Sequence, residues 1–316
     1  MGRTRRWGVI LAGGDGIRLK TLTRFVCGDD RPKQFCPLFD ERTLLEHTIC
    51  RAQDSIPGTH ILFALTDTHR DFYVRELDKF RAQRIVQPAN KGTAPPILFS
   101  TLSIQGIDDD ALIAILPSDH YYSSEAGLTA ALESAFEIAA ECPEALVLLG
   151  AQPNRPEVEY GWIGLGNPVA NISGELYRVR EFVEKPPLDV ARTLLGENWV
   201  WNTFVMVGHT RAFLQLAAQA IPSALDALRQ AALWAGAETY IEDSVYNKLF
   251  HCDFSRQVLS PQALRLLVLR ARDLGWSDLG HPDRVMAVLD HSRSKPLWWT
   301  RELRNGMSTA ARPIGT

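Results

Sequence analysis

VILAGGDGIRLKTLTRFVCGDDRPKQF (residues 9–35) sets an apolar run against three glycines, Gly13, Gly14 and Gly16, and follows them with Arg18, Lys20, Arg24, Arg31 and Lys33. The run reads as a buried strand. Glycines directly after a strand let the backbone turn sharply and bring its N–H groups to face an anion. A strand, a bare loop and a trail of cations together point to a phosphorylated ligand, although glycines alone fit a plain structural turn as well. Neither common phosphate template matches. A G-x-G-x-x-G frame starting at Gly14 puts Leu19 in the place of the last glycine. In a Walker A frame, Arg18 stands where the second glycine belongs, and Lys33 is not followed by Ser or Thr.

Outward from this stretch, apolar runs alternate with amphipathic segments. Strands are expected at 7–12, 60–65, 84–87, 111–117 and 145–150, and helices at 42–53, 69–80, 94–104 and 126–141. Pro95 and Pro96 suit the first turn of the third helix. Short apolar strands separated by helices predict an α/β fold with a Rossmann-like, doubly wound, mixed but mostly parallel sheet. The second half is less regular. Strands are expected at 160–166, 176–186, 199–208 and 263–271, with helices at 210–220, 223–235, about 239–250 and 281–291. The expected organisation is one domain over 1–291, with a nucleotide-binding half (about 1–150), an inserted β-rich sugar-binding half (about 151–291) and a C-terminal tail (292–316). Trp298 and Trp299 in the tail have two places to dock, the body of the chain or a second copy in a homodimer.

The 316 residues are 46% hydrophobic and 22% charged, with net charge -3, an ordinary globular balance. No basic field suggests nucleic acid and no acidic block suggests a disordered tail. No apolar run reaches the roughly 18 residues of a membrane span. The basic start MGRTRRW lacks the apolar region of a secretory signal. Five cysteines with no CxxC spacing read as reduced thiols, and the expected location is cytoplasmic.

In open α/β sheets ligands sit at the carboxyl ends of the strands, and the unusual residues follow the apolar runs. LPSDH (116–120) puts Asp119 at such an edge, where a carboxylate can hold a divalent ion or cap a helix. GWSDLG (275–280) places Asp278 in a loop after the last strand. Two aspartates from distant loops suit Mg²⁺, which takes few carboxylates plus phosphate oxygens. FVEKP (182–186) ends a strand with Glu184 and Lys185, which at an edge often just meet solvent. Asn202 in WNTF is open to a satisfied core amide, and His120 and His281 read as structural. No His/Cys metal spacing and no G-x-S-x-G elbow is present.

Taken in order, LAGGDGIRL, RPKQF, QPANKGTAPPI, LPSDHYY, LGAQPNRPEVEYGWIGLG, FVEKP, WVWNTFVM and GWSDLG resemble the sugar-nucleotide pyrophosphorylases over about residues 7–290. PKQF and GWSD are similar to the guanylyl branch that acts on mannose 1-phosphate. The resemblance implies the nucleotide-diphospho-sugar transferase fold. It also implies a reaction in which a sugar 1-phosphate oxygen attacks the α-phosphorus of GTP in line, giving GDP-mannose and pyrophosphate. It further implies that Leu11, Ala12, Gly13, Gly14 and Gly16 cradle the nucleotide, Arg18 neutralises pyrophosphate and Lys33 touches the α-phosphate. Asp119 and Asp278 would hold Mg²⁺, and Gln87, Pro88, Gly92 and Thr93 would line the base and ribose pocket. Tyr160, Gly161, Glu184 and Asn202 would face the hexose, with Lys185 on its phosphate.

The chain departs from that pattern. Ile17 stands where Thr is common, Lys20-Thr21 where Trp-Pro is common, and WNTF where WNSG is usual. About four extra residues, with Asp29 and Asp30, lie between Arg18 and Lys33. Negative charge in a phosphate loop is unhelpful unless it points away or meets a second cation. Rival readings are the same chemistry on another sugar or base, a silent sugar-nucleotide-binding subunit, and a nicotinamide-dependent oxidoreductase. The failed glycine frame weighs against the last.

Overall fold

The alternating apolar runs form one ten-stranded sheet. The computed structural model describes residues 5–80, 82–169, 175–231, 238–292 and 295–299. The strands are β1 (Arg6–Leu11), β2 (Ile61–Thr66), β3 (Gln83–Gln87), β4 (Leu112–Pro117), β5 (Leu146–Ala151), β6 (Gly161–Pro168), β7 (Leu176–Glu184), β8 (Trp199–His209), β9 (Glu238–Tyr240) and β10 (Leu266–Ala271). The helices are α1 (Lys20–Cys27), α2 (Leu44–Gln53), α3 (Arg70–Leu77), α4 (Ala94–Ile107), α5 (Glu125–Glu141), α6 (Leu188–Leu195), α7 (Thr210–Ala220), α8 (Pro222–Ala231), α9 (Asp243–Tyr246) and α10 (Pro282–His291).

Helices cover both faces of the sheet. Side chains alternate along a strand, so in β1 Trp7 and Val9 join a core built with α4, α7 and α8, including Ile97, Phe213 and Leu225. Ile10 points the other way, into a core with Leu45 and Ile49 of α2, Tyr73 of α3 and Phe136 of α5. Burial on both sides explains why β2, β4 and β5 are continuously apolar. Each fully buried large aliphatic or aromatic chain contributes about 1.5–3 kcal/mol.

Parallel pairing joins β4, β1, β2, β3 and β9 in that order, and β5 with β10. The remaining pairings, β4–β8, β5–β8, β6–β8, β6–β7 and β7–β10, are antiparallel. The sheet is therefore mixed, and its parallel order is concentrated in the first half. Strand β8 is shared. Its C-terminal half pairs with β4, its N-terminal half pairs with β6, and β5 runs along its other edge. The β5 register shifts between Leu148 and Gly150. Opposite this irregularity Phe204 takes φ 63°, and Asn202 Oδ1 accepts from the Phe204 N–H at 3.0 Å.

Three local expectations need correction. The helix expected at about 239–250 is instead β9 followed by the single turn α9. The exposed edge of β3 wins the segment, pairing Arg84 with Glu238 and Val86 with Tyr240. The stretch after Arg18 is not only loop. It contains α1, whose Leu22 is buried and which stops at Gly28, where φ is 80° and the N–H bonds to Arg24 O. Helix α6 is a further addition, and it buries Ala191 and Leu194. Residues 232–235 of the helix expected at 223–235 lie outside the described residues.

Trp298 and Trp299 pack on the chain's own body, against the cluster of Leu19, Leu22, Cys36, Leu44, Leu279 and Val285. Residues 300–316 lie outside the described ones. Among the described residues no helix is long and apolar enough to cross a membrane.

Candidate active site

The carboxyl ends of β1 to β4 are level. Leu11 registers with Ala64 and with Pro117, and Thr66 with Gln87. The loops that leave them converge. Gly16 sits at φ 58°, and a side-chain carbon there would lie 3.1 Å from the Lys33 nitrogen, so glycine is required both for the turn and for the approach. Gln34 Nε2 donates to Ala12 O at 3.1 Å and to Gly14 O at 2.8 Å, tying the RPKQF turn beneath the glycine loop. The same turn buries Lys33 and aims Nζ at Asp119 Oδ2, 3.2 Å away, while Nζ donates to the carbonyl of Asp278. Tyr121 and Ser277 exchange backbone hydrogen bonds at 2.9 and 3.0 Å, which holds the Asp119 and Asp278 loops side by side.

Two clefts meet at Asp119. The first, about 400 Å³, is lined by Leu11, Gly13, Gly14, Gln87, Gly92, Thr93, Asp119, Tyr160, Gly161, Glu184, Lys185, Asn202 and Asp278, with His120, Glu159 and Trp276 beside them. The second, about 530 Å³, is lined by Asp15, Gly16, Arg18, Lys33, Asn90, Asp119 and Gly280. Ala12 and Pro88 line neither. Ala12 is buried behind the glycine loop. The Gln87 side chain is buried and already engaged, donating to Thr66 Oγ1 at 3.0 Å and accepting from Tyr246 OH at 2.9 Å. Thr93 Oγ1 accepts from the Phe254 N–H at 2.8 Å.

The cations after the glycines divide. Of these five, Arg18 and Lys33 line a cleft and the others do not. Arg24 makes a two-bonded pair with Asp30, each contact 2.6 Å, and Arg31 makes one with Asp29 at 2.7 and 2.8 Å. Each acid of the extra loop thus meets a cation within the loop, so neither opposes a phosphate. Arg18 itself pairs with Glu159 at 2.5 Å. Both side chains are well exposed, and pairs of that kind are worth only about 0–1 kcal/mol, little enough for a polyanion to compete.

Asp278 is the most heavily constrained acid. Tyr160 OH, the Gly280 N–H and Arg284 Nη1 all reach its Oδ1, at 3.0, 2.8 and 2.6 Å. Burial works against ionisation, but Lys33, Arg284 and His120 outweigh it and pull the carboxyl down to about 2. Among the described residues no donor is placed on Oδ2. Asp278 therefore offers one fixed, ionised oxygen, and Asp119 a second carboxylate across Lys33. This set fits Mg²⁺, which binds through one or two carboxylates and completes its shell with phosphate and water. No trio of metal-ligating side chains exists among the described residues, so the phosphates would have to supply the rest.

Glu184 has the opposite setting. Burial, and then the charge of Asp253, raise its carboxyl to about 7, with Lys185 and Arg256 only partly offsetting them. Among the described residues its carboxyl has no hydrogen-bond partner, and a side-chain carbon on Gly161 would lie 2.7 Å from its Oε2. Lys185 is held at φ 52°. Asn202 Nδ2 donates weakly to Ser255 Oγ at 3.4 Å. His120 accepts from Trp276 Nε1 at 3.2 Å, and His281 caps α10.

Sequence reasoning missed Arg284, Glu157, Glu159, Trp276 and Asp15. Arg284 contacts Glu157 and Glu159, both at 2.9 Å, and its guanidinium lies 4.6 Å over the Tyr160 ring. Asp15 holds His69 at 3.2 Å and Asn90 at 3.1 Å. Asp15 and Trp276 lie inside the motifs LAGGDGIRL and GWSDLG, which are signal enough to have found them. Arg284 carries no local signal, since one arginine on a helix's polar face has no visible partner.

A family model described as nucleotidyl transferase matches residues 7–294. The chain is 30% identical over 279 residues to a mannose-1-phosphate guanylyltransferase of Escherichia coli, covering 86% of this chain and 57% of that protein. It is 28% identical over 302 residues to the mannose-1-phosphate guanylyltransferase ManC of Salmonella typhimurium, covering 92% and 61%. The chain thus spans about three-fifths of the length of these curated relatives. A crystal structure described as mannose-1-phosphate geranyltransferase, from Thermus thermophilus, superposes with TM-score 0.77 at 30% identity, covering 90% of this chain and 80% of that one.

Proposed function

Because the chain belongs to the nucleotidyl transferase family, we propose that it makes GDP-mannose and pyrophosphate from GTP and mannose 1-phosphate, with Mg²⁺. One observation carries this reading. Lys33 Nζ lies between the Asp119 carboxylate and the Asp278 carbonyl where two clefts meet. One cleft carries Glu184, Lys185 and Asn202, and the other carries Gly16 and Arg18. That layout suits an in-line displacement, with the sugar phosphate entering from the first cleft and pyrophosphate leaving through the second. The names of the relatives support the sugar and the base.

The chemistry asks mainly for positioning and charge neutralisation. The attacking phosphate is already ionised near neutral pH, so no side chain has to remove a proton. Lys33 neutralises charge on the α-phosphate. Arg18 exchanges Glu159 for the leaving pyrophosphate, and the Gly13–Gly16 backbone offers N–H groups along the triphosphate. Asp119 and Asp278 hold Mg²⁺, which supplies charge neutralisation on the phosphates when bound. Glu184 and Asn202 face sugar hydroxyls, and Lys185 faces the sugar phosphate. Gly92, at φ 90°, keeps the 88–93 loop pressed on Cys252 O and so shapes the base side.

The test is pyrophosphate release with Mg²⁺ and mannose 1-phosphate, offering GTP, ATP, UTP and dTTP in turn. Release with GTP is the expected result. Release with another nucleotide keeps the reaction and overturns the base. Release with none of the four, nor with a panel of other sugar phosphates, overturns the enzyme reading.

A further inference from the structure

The extra loop before Lys33 is flanked by two cysteines whose sulfurs are 3.1 Å apart, Cys27 at the end of α1 and Cys36 just after the Lys33 turn. Cys36 is fully buried in the cluster that also holds Leu279, the neighbour of Asp278. Cys27 is half-buried and next to Gly28, the left-handed stop of α1. From this geometry we propose that Cys27 and Cys36 are an oxidation site at which a peroxide converts the pair to a disulfide that slows turnover.

The two positions suit different parts. Cys27 is the reachable sulfur. A hydrogen bond joins it to Cys36, and Arg31 lies near, so its thiol is held below the ordinary range although burial opposes this. The same hydrogen bond, and burial, push Cys36 up. The Cys27 thiolate attacks one peroxide oxygen, the O–O bond breaks, and the departing oxygen takes a proton. Cys27 is then a sulfenic acid. The Cys36 sulfur attacks the Cys27 sulfur, the S–O bond breaks, and hydroxide leaves as water with the Cys36 proton. In sum, two thiols and one hydrogen peroxide give one disulfide and two waters.

A disulfide is about 2.05 Å long, so the sulfurs must close by about 1 Å. Cys36 is fixed in its core, so the movement falls on Cys27, Gly28 and the segment up to Pro32. That segment leads directly into Lys33, whose backbone nitrogen is packed against Gly16. Misplacing catalytic groups by about 1 Å costs up to about 100-fold in rate.

The kinetic consequence rests on the proposed reaction, but the chemistry at sulfur does not. The full chain, freshly reduced, is treated with hydrogen peroxide and digested without reductant, and the linked peptides are identified by mass. Pyrophosphate release is measured in parallel. The expected result is a Cys27–Cys36 cross-linked peptide and a fall in turnover of about 10-fold or more, reversed by dithiothreitol. Cys27→Ser should keep basal turnover and lose the peroxide response. Absence of the cross-link, a dimer linked through the exposed Cys50 of α2 in its place, unchanged turnover with the cross-link formed, or inhibition persisting in Cys27→Ser would each overturn the proposal. If no nucleotide supports turnover in any state, the reaction reading fails while the peptide map still decides the sulfur chemistry.

Discussion

Asp278 and Glu184 are both largely buried acids on the same cleft, yet the first is held at about 2 and the second at about 7. Burial alone would raise both. Asp278 escapes because Lys33 and Arg284 stand against it and three donors reach Oδ1. Glu184 does not, because a second acid, Asp253, faces it and no donor among the described residues binds its carboxyl. One side of the cleft is electrostatically finished before any ligand arrives. The other side leaves a carboxyl with no hydrogen-bond partner among the described residues.

The strongest way to break this contrast is to remove the finished acid. Asp278→Asn should lower Mg²⁺-dependent pyrophosphate release by about 100-fold or more. The far-ultraviolet dichroism should not change. Full activity in this variant would sink the metal assignment. Arg284→Met should come next, because it frees Asp278 to turn while leaving the carboxylate in place. Mn²⁺ affinity, read by electron paramagnetic resonance, should fall about 10- to 100-fold. Unchanged affinity would reduce Arg284 to a packing residue.

On the sugar side the effects should be smaller. Lys185→Ala should raise KM for the sugar phosphate about 10-fold, equivalent to ~1.4 kcal/mol, and leave KM for GTP nearly unchanged. A change mainly in GTP would mean the two pockets are reversed. Glu184 should give the smallest and most diagnostic effect. Its carboxyl is raised to about 7, so it is largely protonated at pH 6 and ionised at pH 8. An ionised carboxylate accepts two hydroxyls, so sugar-phosphate KM should fall a few-fold across that interval. In Glu184→Gln only the titration of the substrate itself should remain. Identical pH profiles for the two proteins would remove Glu184 from the sugar site.

Legibility divided by range. The strands at 7–12, 111–117 and 145–150 could be read because continuous apolar runs have few other uses. The segment 239–250 misled because its fate hung on the free edge of β3, which no local pattern reveals. Helix α1 was hidden by its own chemistry. The five cations of that stretch stand out as one group in the sequence, and only the fold shows that Asp30 and Asp29 occupy Arg24 and Arg31. Lys33 and Asp278 stood out for their motifs and their place after strands. Glu157 and Glu159 did not, although they lie inside LGAQPNRPEVEYGWIGLG, and neither did Arg284, because an ion pair announces itself only when both partners are in view.

The sequence by itself determined which runs become buried strands and which residues stand at their carboxyl ends. It could do so because hydrophobic periodicity and glycine punctuation are local physical requirements. Only the tertiary structure decided that β8 would serve two neighbours, that Lys33 would lie between Asp119 and Asp278, and that Arg284 would hold the second of these. Those outcomes depend on which loops the sheet order brings together, and a charge buried there is stabilised or not by partners that the chain supplies from far away.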